Sequence, residues 1–148
     1  MTLQRQKKFP EFLKELIVES SPDILWIVRS HPKGKKFKIN EFEEFENVYI
    51  SEFVNACPVN QLYSMVDYNV SEGSATVLDA MYCGVVSIIT SKEGSKNYDK
   101  EIREKKVLTA YDKESFFHII RNSKCEDFRM QHFTKFLSLK GILENLLK

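Results

Sequence analysis

The stretch from Asp67 to Thr90 reads DYNVSEGSATVLDAMYCGVVSIIT, and it decides the fold. Asp67 to Ser71 has the short apolar character of a buried strand. Glu72-Gly73-Ser74-Ala75-Thr76 then turns sharply away from it. From Ala75 to Cys83 the apolar residues Val77, Leu78 and Met81 share one helical face, and Gly84 is the expected stop. Val85 to Thr90 is a second strand, buried on both faces. A strand, a helix and a strand in so few residues make a parallel crossover unit.

The pattern extends in both directions. Towards the amino end, Val48 to Ser51 reads as a strand, and Ile24-Leu25-Trp26-Ile27-Val28 as another, running to about Arg29. Before them Phe9, Phe12, Leu13, Leu16 and Ile17 follow helical spacing, with Pro10 in the first turn. Pro58 is expected to open a short surface helix carrying Leu62, Tyr63, Met65 and Val66. Towards the carboxyl end, Lys106 to Ala110 is a weaker strand. Asp112 caps a helix bearing Phe116, Ile119 and Ile120. A last helical region carries Met130, Phe133, Phe136, Leu137, Ile142, Leu143 and Leu146, interrupted by Gly141. Together these predict an α/β fold, a Rossmann-like parallel sheet of about five strands with helices on both faces. No repeat or linker divides residues 1–148, so one domain is expected.

Composition narrows the class. A chain of 148 residues with 43% hydrophobic and 29% charged content buries an ordinary core. The formal net charge of +1 gives no general field to draw nucleic acid or membrane. No run approaches the roughly 18 apolar residues of a transmembrane helix. The polar start from Met1 to Lys8 lacks the apolar core of a secretion signal, which predicts a cytoplasmic protein. Cys57, Cys83 and Cys125 are odd in number and share no CxxC spacing. They read as reduced thiols rather than disulfides or a zinc site. The basic stretch Lys33 to Lys38 and the acidic Glu41 to Glu46 read as a solvated loop and short helix, or as a lysine-rich rim steering a phosphate ligand.

In an open parallel sheet, ligands bind at the carboxyl ends of the strands. Two such ends carry unusual polar chemistry here. At the first, Gly73 lets the backbone approach a ligand, and Ser74 is placed to cap the following helix. The amides of that helix's first turn form an anion site. The hydroxyls of Ser74 and Thr76 add donors for a diphosphate, and Asp79, one turn on, reaches ribose hydroxyls. The same residues also make a capped helix behind a tight turn with no ligand. At the second strand end, Pro32 biases His31 towards an extended conformation, from which it donates to phosphate or stays an exposed loop residue. Glu72, beside the turn, is the best candidate general base, or else an exposed carboxylate. His118 and His132 read as structural or surface residues. No Asp-x-Asp pair is present, in keeping with a site that needs no metal or other cofactor.

In their order, ILWIVRSHP (Ile24 to Pro32), NVYISE (Asn47 to Glu52) and the segment from Pro58 to Thr90 resemble a known arrangement. It is the C-terminal, donor-binding half of GT-B glycosyltransferases, nearest to those of capsule and surface polysaccharide synthesis and the HP-motif sialyltransferases. Those families have a strand ending in an HP pair, a Ser/Thr-rich turn, and a helix of the form S-x-x-x-x-E-A followed by G-x-P-V-I. Here the matching stretch is Ser74 to Ala80, then Gly84, Val85 and Val86. The resemblance implies that His31 contacts the phosphate or base of a nucleotide-activated sugar. It implies that Ser74 and Thr76 hold its phosphates and Asp79 its ribose. Asp79 stands where the family has the longer Glu, and Val86 where it has proline. The N-terminal acceptor half of such an enzyme is not in this sequence. The resemblance therefore implies an excised or truncated domain, or a natural fragment that works with a partner chain or as a homodimer through Phe133, Phe136, Leu137 and Leu143, and an isolated chain that is inactive. The alternative is a non-catalytic Rossmann-like or flavodoxin-like interaction module. A receiver domain would need acidic residues where Arg29-Ser30-His31 stands, and a sugar-nucleotide epimerase would need acidic catalytic groups that are not evident.

Overall fold

The structure, a computed structural model, describes residues 2–3, 10–30, 42 and 44–123. It is an α/β fold whose strands are short and, in every pairing among the described residues, parallel. The amino end supplies β1 (Thr2–Leu3), α1 (Glu11–Glu19), β2 (Trp26–Ile27), β3 (Arg29–Ser30) and β4 (Val48–Tyr49). Then come α2 (Glu52–Ala56), α3 (Val59–Tyr63), β5 (Tyr68–Ser71), α4 (Thr76–Tyr82) and β6 (Val86–Ile89). The order closes with α5 (Lys92–Ser95), a 3₁₀ turn (Lys96–Tyr98), α6 (Asp99–Arg103), β7 (Val107–Thr109) and α7 (Lys113–Asn122).

The strands form a three-stranded sheet in the order β5-β6-β7 and two pairs, β1 with β3 and β2 with β4. β2 and β3 are one extended run interrupted at Val28, whose amide still bonds Tyr49 O at 3.0 Å. The expected strand from Ile24 to Arg29 therefore exists, shifted towards Ser30. β1 was not expected, and the remaining strands are shorter at their ends than their apolar runs suggested.

Alternation along β2 sends its two side chains into different cores. Trp26 packs with Leu13, Leu16 and Ile17 of α1 and Phe116 of α7, a cluster that also takes in Val70, Ile88 and Ala110. One core thus runs from β2 across to β5, β6 and the end of β7. Ile27 instead packs against Val54, Cys57 and Leu62 of α2 and α3. A third cluster sets Val77 of α4 and Tyr98 against Ile89 and Val107, and a fourth joins Tyr63 with Ala80 and Val85.

Polar groups within these layers are largely satisfied locally. Trp26 Nε1 donates to Ser20 Oγ at 2.8 Å, and Asn47 Nδ2 donates to Ile17 O and Ile24 O at 3.0 and 3.1 Å. Asn69 Nδ2 donates to Ser87 Oγ at 3.0 Å. Pro10 stands as the cap of α1 rather than within its first turn, and Pro58 caps α3 in the same way. The segment expected at the surface around α3 is mixed. Pro58 and Met65 are exposed, while Leu62 and Tyr63 are buried. The Asp112 cap is as expected, its carboxylate accepting Ser115 N at 2.8 Å. Among the described residues, no helix is long and apolar enough to cross a membrane. The Lys33–Lys38 stretch, Cys125, His132 and the last helical region with Phe133, Phe136, Leu137 and Leu143 lie outside the described residues.

Candidate functional site

The turn that leaves β5 is organised by Ser71, which is fully buried. Its hydroxyl accepts the amides of Gly73 at 3.2 Å and Ser74 at 3.4 Å. Its carbonyl accepts Thr90 N at 2.9 Å and Thr90 Oγ1 at 3.4 Å. One residue therefore closes the turn after β5 and ties it to the end of β6.

Ser74 and Thr76 are held from two sides by tyrosines. Tyr98 Oη donates to Ser74 O at 2.7 Å, and Tyr63 Oη donates to Thr76 O at 2.9 Å. Burial is the main reason the Tyr63 hydroxyl is pushed up to about 12, and burial likewise raises Tyr98. Ser74 Oγ accepts Thr76 N at 3.3 Å. It was expected to cap α4, but Ala75 takes that position, already helical and without a side-chain bond. The helical backbone begins early enough to leave Ser74 bonding within the turn. Thr76 Oγ1 is buried and has no hydrogen-bond partner.

Gly73 adopts φ +117°, the left-handed region that glycine tolerates. The sequence suggested that its missing side chain makes room for a ligand. The neighbour is instead the backbone of Gly94. A Cβ on Gly73 would lie 2.5 Å from Gly94 Cα, and one on Gly94 would lie 1.6 Å from Glu72 O. The turn after β5 and the short helix α5 cross here backbone to backbone. The amides of Gly73, Ser74 and Thr76 are bonded within the turn, at 3.2, 3.4 and 3.3 Å.

Glu72 is half-buried, and burial raises its carboxyl above the usual range. Asp79 is exposed while Thr76, one turn before it, is buried, so the two do not present a common open face. Burial raises the Cys83 thiol, and the Asp79 charge adds to that rise as it does at Tyr63 and Tyr98. His31 lies outside the described residues. The strand before it ends at Ser30, whose amide is held by Asn55 Oδ1 at 2.9 Å.

The carboxyl edge also carries residues that no motif in the sequence singled out. Ser91 Oγ accepts Gly94 N at 3.2 Å and so caps α5. Tyr111, just after β7, donates to Ser95 Oγ at 2.9 Å, and Lys92 Nζ stands 5.8 Å from its ring centre. The signal that marks them is Ser91-x-x-Gly94 directly after an apolar strand, a helix-cap spacing. The edge thus gathers Glu72, Thr90, Lys92 and Tyr111 around the crossing of Gly73 and Gly94. Chemically it offers a carboxyl with raised proton affinity, a cation and several hydroxyls. Cys57 is buried and Cys83 exposed, both as free thiols. Among the described residues, no group of three or more His, Cys, Asp and Glu could hold a metal ion. A cavity of about 420 Å³ lies elsewhere, beside Asp23 and Asp67 near the amino ends of β2 and β5.

Comparison with models of protein families, with curated protein sequences and with solved structures finds no match to this chain.

Proposed function

We propose that this chain is the nucleotide-sugar-binding domain of a glycosyltransferase, with the Rossmann-like sheet of one GT-B half and a role in surface or capsular polysaccharide synthesis. The observation that carries this reading is the polar carboxyl edge of β5, β6 and β7, where open parallel sheets take their ligands. Thr76 Oγ1 adds support, because a buried hydroxyl without a partner is uncommon and invites one. In this reading Ser74 and Thr76 hold the donor phosphates, Asp79 the ribose, and His31 the phosphate or base. Glu72 is the general base, and its raised proton affinity suits it to draw a proton from an acceptor hydroxyl. The amide bonds to Ser71 and Ser74, at 3.2 to 3.4 Å, lie at the long end of the hydrogen-bond range. Phosphate oxygens would compete for those amides. Neither metal nor cofactor enters the scheme.

A thermal-shift series with CMP, CDP, UDP, GDP and their sugar conjugates tests it. At a hundred times its dissociation constant, a true donor stabilises the fold by about 2.7 kcal/mol. Asp79→Ala is expected to weaken that donor by about 1–2 kcal/mol. No shift with any nucleotide sinks the reading. The second reading, a non-catalytic interaction module, is favoured by the way the turn satisfies its own amides, and it predicts that null result.

A further inference from the structure

The 420 Å³ cavity does not sit on one side of the sheet. Its wall includes Trp26 and Phe116 from the core under α1 and α7, and Ile27 and Leu62 from the separate core under α2 and α3. A space that meets both helix layers lies in the gap between β2 and β5. Its volume is that of a small-molecule site.

The mouth is at the amino ends of these two strands, where the lining residues are exposed. Asp23 and Leu25 stand on one bank and Met65 and Asp67 on the other, so each bank offers a carboxylate and a large apolar side chain. Arg29, on β3, is the one cation among the described lining residues, and its Nη2 donates to Cys57 O at 3.1 Å. The cavity is thus negative at its mouth and positive at its carboxyl end.

Between the two ends the walls are apolar and aromatic, yet two polar atoms there go unsatisfied. Among the described residues, three buried side-chain polar atoms lack a hydrogen-bond partner, and two of them, Asn69 Oδ1 and Arg29 Nε, belong to lining residues. Asn69 is 1% exposed, and its Nδ2 is engaged by Ser87 Oγ of β6 at 3.0 Å. The planar amide therefore turns Oδ1 away from β6, to the side of the gap. An orphaned acceptor and an orphaned donor around one apolar space call for a group that supplies the opposite of each.

We infer that this cavity binds a small aromatic amine carrying an oxygen acceptor at its other end. The ammonium enters between Asp23 and Asp67 and donates to Asn69 Oδ1. The ring lies against Trp26 and Phe116, and the oxygen accepts from Arg29 Nε after a small turn of that side chain. An anion at the mouth would face two carboxylates, so charge selects the cation. The site lies at the opposite edge of the sheet from the nucleotide reading and does not depend on it.

The test titrates the full chain with tyramine, with para-ethylphenol, which lacks the amine, and with phenethylamine, which lacks the oxygen. Binding is read by calorimetry and by amide chemical shifts. Tyramine is expected to bind with a dissociation constant of about 1 mM or tighter, the scale for so few heavy atoms, and to shift the amides of Leu25, Asn69 and Val70. Loss of the amine is expected to weaken binding roughly tenfold, and loss of the oxygen roughly fivefold. Asp23→Asn combined with Asp67→Asn alters two exposed side chains. It is expected to weaken tyramine about threefold and to leave para-ethylphenol unchanged. No binding of tyramine at about 10 mM overturns the proposal. So does equal affinity for tyramine and para-ethylphenol, or a set of shifts confined to the carboxyl edge around Gly73.

Discussion

Gly94 has no room for a side chain, and the reason is another chain segment rather than a ligand. A methyl group there would lie 1.6 Å from Glu72 O, so Gly94→Ala must push apart the turn that follows β5 and helix α5. The expected loss is about 3 kcal/mol, at the upper end for overpacking, read as a lower urea midpoint. Gly73 was legible from sequence as a tight turn, but its partner stands in α5, about twenty residues on, and no local pattern announces it. A substitution at Gly73 consequently disturbs the fold and is a poor probe of nucleotide affinity. Glu72 gives a cleaner test. Burial raises its carboxyl above the ordinary 4.5, so its contribution to stability is fullest below that pH and is lost as pH rises through the folded value. Glu72→Gln is expected to gain roughly 1–3 °C in Tm over the parent at pH 7.5, a modest effect for a partly exposed group, and to converge with it near pH 4. A gain that persists at pH 4 would assign the effect to something other than the charge. Glu72, Ser74, Thr76 and Asp79 were each readable as residue types suited to a polar strand end. That Thr76 is buried while Asp79 is exposed was not readable, because it depends on where Tyr63 and Tyr98 pack.

At the scale of elements, apolar runs and caps carried most of the information. β5, α4 and β6 fall within a residue or two of where DYNVSEGSATVLDAMYCGVVSIIT places them, because each has an apolar set and a turn residue at its end. β1 escaped notice because Thr2 and Leu3 are too few to show a period, and their pairing with β3 is a long-range event. The helices between residues 92 and 103 show no period in the sequence because they are short and polar, α5 resting on the Ser91 cap. Caps offer a test of their own. Asp112 accepts Ser115 N, which holds its carboxyl below the usual range. Its contribution is present above the ordinary carboxylate pKa and fades as pH falls through the lowered folded value. Asp112→Ala is expected to lower Tm by a few degrees at neutral pH, with the gap to the parent narrowing in acid. Asp112→Asn keeps the acceptor and is expected to lose less.

Across the whole molecule, stability depends on the core that spans β2, β5, β6 and the end of β7. Phe116 sits at its centre, 1% exposed, with its ring stacked on Trp26 at 5.8 Å and 18°. Phe116→Ala is expected to cost about 3–5 kcal/mol, measured by chemical denaturation, and a loss under 1 kcal/mol would mean the two rings do not share this core. Lys113 adds a tie between helices at the same place, bonding Glu15 at 3.5 Å and also Glu19, both on α1. Trp26 has a further consequence. It is the chain's single tryptophan, 5% exposed, its indole N–H fixed on Ser20 and its ring on the wall between core and cavity. The protein is in effect labelled at one position with its own fluorophore. Its emission is expected to be blue-shifted in the native state, to move red in one step on unfolding, and to change again when anything enters the gap beside it.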